Sequence, residues 1–533
     1  MLKPCQNCQV SFEIDDTESA YYQRISVPAP VDCPKCRLVR RLTERNSKNL
    51  FYRNCDLSGK KIVSQYSPSV PFPVYDQKIW WSDEWDAMNY GVDFDFGRPF
   101  FEQFEALRNR VPQMSVFVIG DTLENSDFTN CTGYLKNCYL IGEADYDEDC
   151  YFSNRIYYCK NTFDCSTIYE SELCYECIDC SGCQRLKYSQ DCKNCHDSYF
   201  LKDCIACQDC IGCVNQRQKQ YMIFNKQYSK EEYLAMKADL NLESSSGLGN
   251  LREKCEEFFK TQPVRDLHEE QNQNSLGDHL YNSKNSSWCF DSRDLEDCKY
   301  CARLIGPVKD CMDYTSWGSK AELVYQCTAT GDGAYNLKFC STCTTNNSNM
   351  EYCFSCTGCD EVFGCVGLKR KKFCIFNKQY SEKEYRALKA KIISQMTASG
   401  EYGQFFPKNL SPHAYNDTLA MDLFPLSKEE VLAAGYKWRD VEDAVKSDAN
   451  LSCSDCNKSY KLIPQEIDFY AQNGIPHPQN CPLCRHKARQ KKRNQIDLAQ
   501  RNCDKCSKQI MSTVDPNQTE KVFCKDCYLA EVY

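Results

Sequence analysis

The sequence predicts a mainly β fold with short helices, in which two cysteine-rich β-solenoid (β-helix-like) domains are flanked by duplicated small cysteine-pair modules. Three observations support this prediction. The 533 residues include 41 cysteines, close to the ~8% level of small disulfide-rich proteins. Pairs of cysteines with two residues between them recur at both ends of the chain. Between the ends, most cysteines are spaced by multiples of three residues.

Charge, hydropathy and the opening residues exclude several classes of protein. The net charge is −9 and the pI about 5.5, so no overall basic field indicates nucleic-acid binding. Mean hydropathy is −0.62 and no apolar run approaches ~18 residues, which excludes a membrane-spanning helix. The first residues lack the apolar core of a signal peptide. We therefore expect a cytoplasmic protein with reduced thiols and no membrane partner, because disulfides rarely persist in that compartment.

The two ends of the chain repeat one pattern. C-x2-C-x24-C-x2-C occurs twice at a constant offset of 448 residues, and aromatic and proline residues coincide at that offset. A further C-x2-C-x17-C-x2-C set follows the second copy. The cysteines of the three sets are Cys5, Cys8, Cys33 and Cys36; Cys453, Cys456, Cys481 and Cys484; and Cys503, Cys506, Cys524 and Cys527.

This spacing predicts tetrahedral zinc sites. Two thiolates on one tight turn reach the same ion, and a second pair completes a tetrahedron at ~2.3 Å. Four protein ligands leave no open position, so we expect about three structural zinc ions rather than catalytic ones. At the N-terminal positions equivalent to the third set, the sequence reads Cys55, Ser58, Asp76 and Ile79. We expect this region to keep the fold of the module without its metal.

Residues 5–41 and 453–489 resemble a family of small bacterial zinc-ribbon or treble-clef domains. The resemblance rests on a first cysteine pair, an aromatic pair such as Tyr21-Tyr22, and Cys-Pro-x-Cys-Arg opening a basic helix, where proline suits the first turn. The whole chain resembles uncharacterised cysteine-rich bacterial proteins that carry such zinc ribbons. The resemblance implies zinc binding and no particular activity.

The central tract predicts stacked coils. Its cysteines fit a fifteen-residue register, with one column at Cys150, Cys165, Cys180, Cys195 and Cys210, preceded by Asp149, Asp164, Asp179, Asn194 and Asp209. A short fixed period indicates repeated coils whose strands lie ~4.8 Å apart. Inward positions suit cysteine, a small apolar residue, and the Asp/Asn column suits turns. Residues 289–374 follow the same pattern less regularly.

The role of the central thiols stays open at this point. Structural packing is favoured, while metal binding and iron–sulfur or redox chemistry are the alternatives. The run Cys174, Cys177, Cys180, Cys183 resembles an iron–sulfur motif, but it lacks the final three-residue gap and the proline of the ferredoxin pattern.

Capping signals and composition predict the domain organisation. Each tract runs into Ile-Phe-Asn-Lys-Gln-Tyr-Ser and then into a helix with a capping box, Ser229/Glu232 or Ser381/Glu384. The tryptophans at 80, 81 and 85 are predicted to dock their module onto the first solenoid. The expected segments are a zinc ribbon (1–50), a metal-free ribbon (51–90), solenoid 1 (91–225), a helical cap and linker (226–280), solenoid 2 (281–376), a second cap and linker (377–450), a zinc ribbon with a basic helix (451–500) and a last zinc ribbon (501–533).

Basic residues follow the final cysteine pair in both copies. They suit contact with the phosphate backbone of RNA or DNA, and the alternatives are a solvated helix face or a basic face docked on an acidic solenoid of the same or another chain. The candidates are Arg37, Arg40, Arg41 and Arg45, together with Arg485, Lys487, Arg489, Lys491, Lys492 and Arg493.

The functional prediction is a non-enzymatic zinc-binding scaffold or interaction protein whose partner is RNA, DNA or another protein rather than a small-molecule substrate. The alternative is a metal-handling or redox protein that uses the central thiols. No phosphate-binding loop, dinucleotide-binding fingerprint or nucleophile-elbow motif is present.

Overall fold

The computed structural model describes residues 1–440 and 451–533, which form mixed sheets with short helices. The last ten residues of the predicted second cap and linker, 441–450, lie outside the described residues. The chain divides into two compact units. Unit 1 comprises Met1–Val116, Leu267–Arg439 and Ile496–Leu498, and unit 2 comprises Phe117–Asp266, Asp440–Gln495 and Ala499–Tyr533. Each unit therefore combines one cysteine-rich tract with cysteine-pair modules from the opposite end of the chain.

The first tract, residues 117–227 in unit 2, pairs with itself in parallel at an offset of twelve residues. The bridges Tyr139↔Tyr151, Tyr151↔Phe163 and Phe163↔Tyr175 continue one column through successive coils. Its strands are Leu123–Glu124, Asn130–Lys136, Gly142–Glu148, Asn154–Tyr157, Ser166–Tyr169, Ile178–Ser181, Gln208–Ile211, Gln220–Ile223 and Lys226–Gln227, after a 3-10 turn at Gly120–Thr122.

The predicted fifteen-residue register is wrong, and the backbone shows why. Along most of the first tract every third residue has a positive φ, so the chain turns a corner after each three-residue side, and four sides complete a coil. Twelve and fifteen are both multiples of three, so the cysteine spacing fits either. The predicted column of Asp and Asn is confirmed to lie at turns: its five members have φ between 49° and 54°, a conformation in which Asn and Asp are enriched.

The second tract, residues 267–379 in unit 1, repeats this architecture with a drifting offset. Met312↔Tyr325 spans thirteen residues and Phe354↔Val366 spans twelve. Its strands are Glu269–Glu270, Leu276–Tyr281, Ser287–Arg293, Leu295–Glu296, Val308–Lys309, Ala321–Glu322, Tyr335–Lys338, Ser348–Glu351, Asp360–Phe363, Lys372–Ile375 and Lys378–Gln379.

Helices close the end of each tract. Lys230–Asp239 and Glu382–Ala398 carry the predicted capping boxes, and their first buried tyrosines, Tyr233 and Tyr385, lie against Tyr221 and Phe373 of the last coil at 5.6 and 5.7 Å between ring centroids. A further helix, Ser245–Lys260, occupies sequence predicted as linker. Its apolar residues follow helical spacing and bury Leu251 and Cys255.

Short strands and helices form the cysteine-pair modules. In unit 1 the strands are Leu2–Pro4, Ser11–Glu13, Phe51–Asn54, Lys61–Ser64, Val74–Tyr75 and Gln113–Met114, and the helices are Asp16–Arg24, Pro34–Leu42, Gln77–Trp81 and Phe100–Arg108 with the 3-10 turn Ala87–Tyr90. Unit 1 also has the helices Leu419–Leu423 and Lys428–Ala433 and the 3-10 turns Lys408–Leu410 and Tyr415–Asp417. In unit 2 the strands are Val264–Arg265, Leu451–Ser452, Ser459–Tyr460, Ala499–Asn502, Gln509–Ser512 and Val522–Phe523, and the helices are Pro464–Asn473, Pro482–Gln490 and Lys525–Val532.

The tryptophan-rich segment docks on the second tract, so its predicted docking on the first solenoid is wrong. The Lys369 ammonium donates to the Trp80 carbonyl at 2.6 Å and lies 4.8 Å from the Trp85 ring centroid. Nearby, Phe100 packs against Tyr352 and Phe376. The N-terminal modules precede the first tract in the chain but belong to the unit of the second, which the order of segments in the sequence does not reveal. Among the described helices, none is long and apolar enough to span a membrane.

Candidate metal centres

The three predicted cysteine sets come together as three tetrads. In each tetrad the four sulfur atoms lie within 4.8 Å of one another. The Sγ–Sγ distances across the two pairs include 3.7 Å for Cys8 to Cys33 and 3.8 Å for Cys456 to Cys481. Zinc at ~2.3 Å from four tetrahedral sulfurs requires sulfur separations of about 3.8 Å. The donor set and its spacing therefore fit a closed zinc site of the structural type.

Each tetrad has a backbone amide that donates to one of its sulfur atoms. The N–H of the third cysteine donates to the first sulfur of its own tetrad: Cys33 to Cys5 at 3.2 Å, Cys481 to Cys453 at 3.3 Å, and Cys524 to Cys503 at 3.2 Å. Burial raises the pKa of Cys453, but amide donors, that of Cys481 first, outweigh burial and lower this pKa to about 6. The same balance lowers the pKa of Cys503 to about 6. Zinc binds thiolates, so these donors favour metal binding at neutral pH.

The module around Cys55 keeps the geometry of the third tetrad without its ligands. Strands Phe51–Asn54 and Lys61–Ser64 pair in the same register as Ala499–Asn502 and Gln509–Ser512. The N–H of Asp76 donates to the Cys55 sulfur at 3.3 Å, as that of Cys524 does to Cys503. Among the described residues, no group of metal ligands includes Cys55, and the absence of metal from this ribbon stays a prediction.

In the first and second tetrads, the third cysteine directly precedes a helix that carries buried arginines. Pro34–Leu42 begins directly after Cys33, and the next cysteine of the tetrad lies in its first turn. Arg37 follows, and its Nε donates to Oδ2 of Asp313 in the second tract at 2.7 Å. One turn later, the Nε of Arg41 donates to the Thr315 hydroxyl at 2.7 Å, and its Nη1 lies 3.2 Å from Oδ1 of Asp313.

Unit 2 repeats this docking residue by residue. The helix Pro482–Gln490 begins after Cys481, and the Nε of Arg485 lies 3.0 Å from Oδ2 of Asp164 in the first tract. The Arg489 guanidinium donates to Oδ1 of Asp164 at 2.9 Å and to the Ser166 hydroxyl at 3.4 Å. Both arginine side chains are 3% exposed and that of Asp164 is 0% exposed.

Aromatic rings extend both docking surfaces. The ring of Tyr22 lies 5.2 Å from that of Tyr325 in unit 1, and the equivalent Tyr470 lies 5.7 Å from Tyr175 in unit 2. Phe469 stacks on Phe163 at 3.9 Å between ring centroids. The aromatic pair quoted in the zinc-ribbon motif therefore packs against the coils in each unit.

The sequence analysis did not identify Asp164 and Asp313 as the partners of these arginines. Each stands two residues before a hydroxyl residue that completes the contact, Ser166 or Thr315. Aspartate at a corner is common in both tracts, so a signal this short does not distinguish these two positions.

The other candidate basic residues divide between paired and exposed positions. Arg40 pairs with Asp32 at 2.5 Å, Arg493 pairs with Asp179 at 2.8 Å, and Arg45 is buried. Lys487, Lys491 and Lys492 are exposed. Docking on an acidic tract of the same chain, one of the alternative interpretations of the sequence, accounts for Arg37, Arg41, Arg485, Arg489 and Arg493. Phosphate contact stays a prediction. Of the candidate residues, only the three exposed lysines can contact a phosphate group without displacing a ribbon helix from its tract.

The thiols of the coils take part in a repeated hydrogen-bond pattern. Cys177 donates its S–H toward the carbonyl of Tyr175, two residues earlier, at 3.5 Å and toward that of Leu186 in the next coil at 3.2 Å. Serines in the same columns bond the same way, as Ser189 does to the Lys187 carbonyl at 2.9 Å. Burial raises the pKa of Cys192 well above its usual range. Small buried side chains that donate to backbone carbonyls explain why serine replaces cysteine in these columns.

Comparison with known proteins supports the zinc-binding assignment in one region. Residues 447–493 match a family described as "Probable treble clef domain". No curated protein matches the sequence. A solved structure described as a putative acetyltransferase from Desulfovibrio desulfuricans G20 aligns at 7% identity over 50% of this chain and 71% of that chain, with a TM-score of 0.12. That score carries no argument about fold or activity. The treble-clef match and the tetrads together indicate zinc binding.

Proposed function

We propose that the protein is a non-enzymatic scaffold in which three zinc ions, each bound by four cysteines, fix ribbon modules onto two β-solenoids built from the stacked coils. The observation that carries this proposal is the duplicated docking contact. In each unit, a helix that starts at a zinc ligand inserts two arginines beside one buried aspartate of the coils, Asp313 or Asp164. Zinc would fix the direction of each helix, and the ion pairs would fix its position.

This arrangement assigns different roles to the two groups of cysteines. The tetrads hold zinc, because their sulfurs lie at metal-ligand spacing. The coil thiols pack, because they donate to backbone carbonyls in the pattern that serine also follows. This contrast supports the scaffold over the metal-handling or redox alternative.

Zinc analysis of matched variants tests the proposal. C453S/C456S removes half of one tetrad, and we expect it to lower sulfur-ligated zinc by about one ion per chain. C177S, placed in the coils, is the control and should leave zinc unchanged. If the coil variant loses metal, or if purified protein contains iron with sulfide, the thiol-chemistry alternative replaces the scaffold.

The exposed lysines of the ribbon at residues 451–500 support a macromolecular partner. Lys487, Lys491 and Lys492 lie near the end of the helix Pro482–Gln490 and just after it, and they would contact a phosphate backbone without sequence readout. We expect weak, salt-dependent binding to mixed RNA or DNA that K487Q/K491Q/K492Q abolishes. The control K230Q/K508Q/K521Q removes the same charge from other exposed lysines of unit 2. Equal loss in both variants, or no binding at low salt, would contradict this part of the proposal.

A further inference from the structure

The two tracts end in the same seven residues, but the two ends differ in burial. Ile-Phe-Asn-Lys-Gln-Tyr-Ser occupies residues 223–229 in unit 2 and 375–381 in unit 1. In both copies the last parallel strand of the tract pairs with a short antiparallel strand. Phe376 is fully buried, whereas the equivalent Phe224 is only half-buried. Because the sequences are identical, the difference lies in what packs against them.

In unit 1, residues 91–96 (Gly-Val-Asp-Phe-Asp-Phe) cover the end of the second tract. The backbone N–H of Val92 donates to the Phe376 carbonyl at 3.1 Å. The ring of Phe94 lies 5.6 Å from that of Phe376, measured between centroids. One backbone hydrogen bond and one aromatic contact therefore fix this segment on the last turn of the tract.

In unit 2, the end of the first tract lacks an equivalent cover. Among the described residues, Phe224 packs against one aromatic ring, that of Phe258, at 5.5 Å between centroids. Within the same described part of the chain, the Asn225 amide donates only inside its own tract. The equivalent Asn377 also donates outside its tract, to the Ala87 carbonyl at 3.0 Å. A ring face and an amide hydrogen are thus left for a further contact.

Two polar side chains complete the contact in unit 1. The Lys378 ammonium donates to Oδ1 of Asp93 at 2.6 Å, and the Tyr380 hydroxyl donates to the same oxygen at 3.3 Å. The equivalent residues of unit 2, Lys226 and Tyr228, supply the same donors. Lys226 is exposed, lies 5.3 Å from the centroid of the Tyr228 ring, and forms no ion pair with the described residues. The end of the first tract therefore presents a positive charge that its counterpart pairs with a carboxylate.

We propose that residues 224–228, at the end of the first tract, bind a segment of a partner protein with the chemistry of residues 91–96. The partner donates a backbone N–H to the Phe224 carbonyl, places an aspartate beside Lys226 and Tyr228, and packs an aromatic ring on Phe224. In peptide recognition, main-chain hydrogen bonds give affinity and side-chain contacts give specificity. Residues 91–96 of the chain itself are engaged in unit 1, so the site in unit 2 takes its segment from another protein. This site does not depend on the zinc ions.

A capped peptide with the sequence Gly-Val-Asp-Phe-Asp-Phe tests the proposal on the full chain. Isothermal titration calorimetry should show saturable binding. Replacing the first phenylalanine of the peptide with alanine should weaken binding about tenfold or more, because that ring is the buried anchor of the contact in unit 1. Absence of saturable binding up to about 1 mM peptide, or equal binding of a scrambled peptide, would overturn the proposal.

A matched pair of variants locates the peptide. The side chains of Lys378 and Asp93 are 46% and 74% exposed, and exposed ion pairs contribute little, so we expect K226Q to weaken binding about two- to fivefold. K378Q makes the same change where residues 91–96 are already bound and should leave the affinity unchanged. A peptide with asparagine in place of its first aspartate should bind wild type and K226Q equally. Equal affinity of the original peptide for wild type and K226Q would overturn the proposal, as would weaker binding to K378Q, which would mean that the peptide displaces the internal segment.

Discussion

Replacing Asp164 with asparagine removes the charge that faces two buried arginines. In unit 2 the carboxylate accepts from Arg485 and Arg489 at distances near 3 Å, and the Asp164 side chain is fully buried. Asparagine has nearly the same shape and tolerates the positive φ of 54° at this corner. The substitution therefore tests the charge and leaves the turn intact.

The expected loss in the free energy of unfolding follows from the burial of the pair. Breaking a buried ion pair from one side typically costs about 3–5 kcal/mol, because the remaining charge stays buried without a partner. For a unit of this size, each kcal/mol lowers Tm by about 2–4 °C. We expect the unfolding transition of unit 2 to shift down by about 6–20 °C in D164N.

Asp197 provides the matched control. It also occupies a corner with positive φ, and it pairs with Arg185, but both side chains are substantially exposed. Exposed pairs contribute about 0–1 kcal/mol, so D197N should shift the transition by less than about 4 °C. Calorimetry of the zinc-loaded full chain measures both shifts, and limited proteolysis should release the ribbon at residues 451–500 faster in D164N alone. Equal, small shifts in both variants would refute the docking argument.

Three further predictions address other parts of the molecule. C177S should lower the free energy of unfolding by less than about 2 kcal/mol, because serine keeps the hydrogen bond to the Tyr175 carbonyl. C177L should lower it by about 1–3 kcal/mol more, because leucine overpacks the coil. Urea unfolding compares the two variants, and equal losses would contradict the hydrogen-bond role. S58C/D76C/I79C should create a fourth tetrad around Cys55 and add about one sulfur-ligated zinc ion, since the strand register there matches that of the third tetrad. No gain in zinc would contradict the structural equivalence of the two modules. Burial lowers the pKa of His413 to about 3, so between pH 6.5 and pH 3 the unfolded state binds a proton that the folded state excludes. The stability of the wild type should therefore fall relative to that of H413Q as pH falls from about 6.5 to about 3. A difference in Tm between the two proteins that does not change with pH would contradict this.

The cysteine tetrads could be predicted from the sequence because the spacing of zinc ligands is local. Cys5 and Cys8, and each later pair, lie on one turn, and the repeat of whole tetrads at a constant offset identified them together. The incomplete ligand set around Cys55 is visible for the same reason, since Ile79 has no ligating atom. Capping boxes such as Ser229/Glu232 involve four consecutive residues and were equally visible.

The coil register and the docking partners depend on contacts that the sequence does not encode locally. A three-residue side leaves twelve and fifteen residues per coil equally compatible with the cysteine positions, and the number of corners per coil decides between them. The segment 245–260 looked like a linker because its serines and glycines come first, yet Leu251 and Cys255 provide a buried helical face. Arg37 and Asp313 are distant in the sequence, so a basic helix suggested an external phosphate where the fold supplies an internal carboxylate.

Counting sulfur-ligated zinc in three paired variants tests the central claim most directly. C5S/C8S, C453S/C456S and C503S/C506S each remove one half of a different tetrad. The scaffold with three closed zinc sites predicts three sulfur-ligated ions per chain in the wild type and a loss of about one ion in each variant. Fewer than three such ions in the wild type, or the same zinc content in any of these variants, would contradict it.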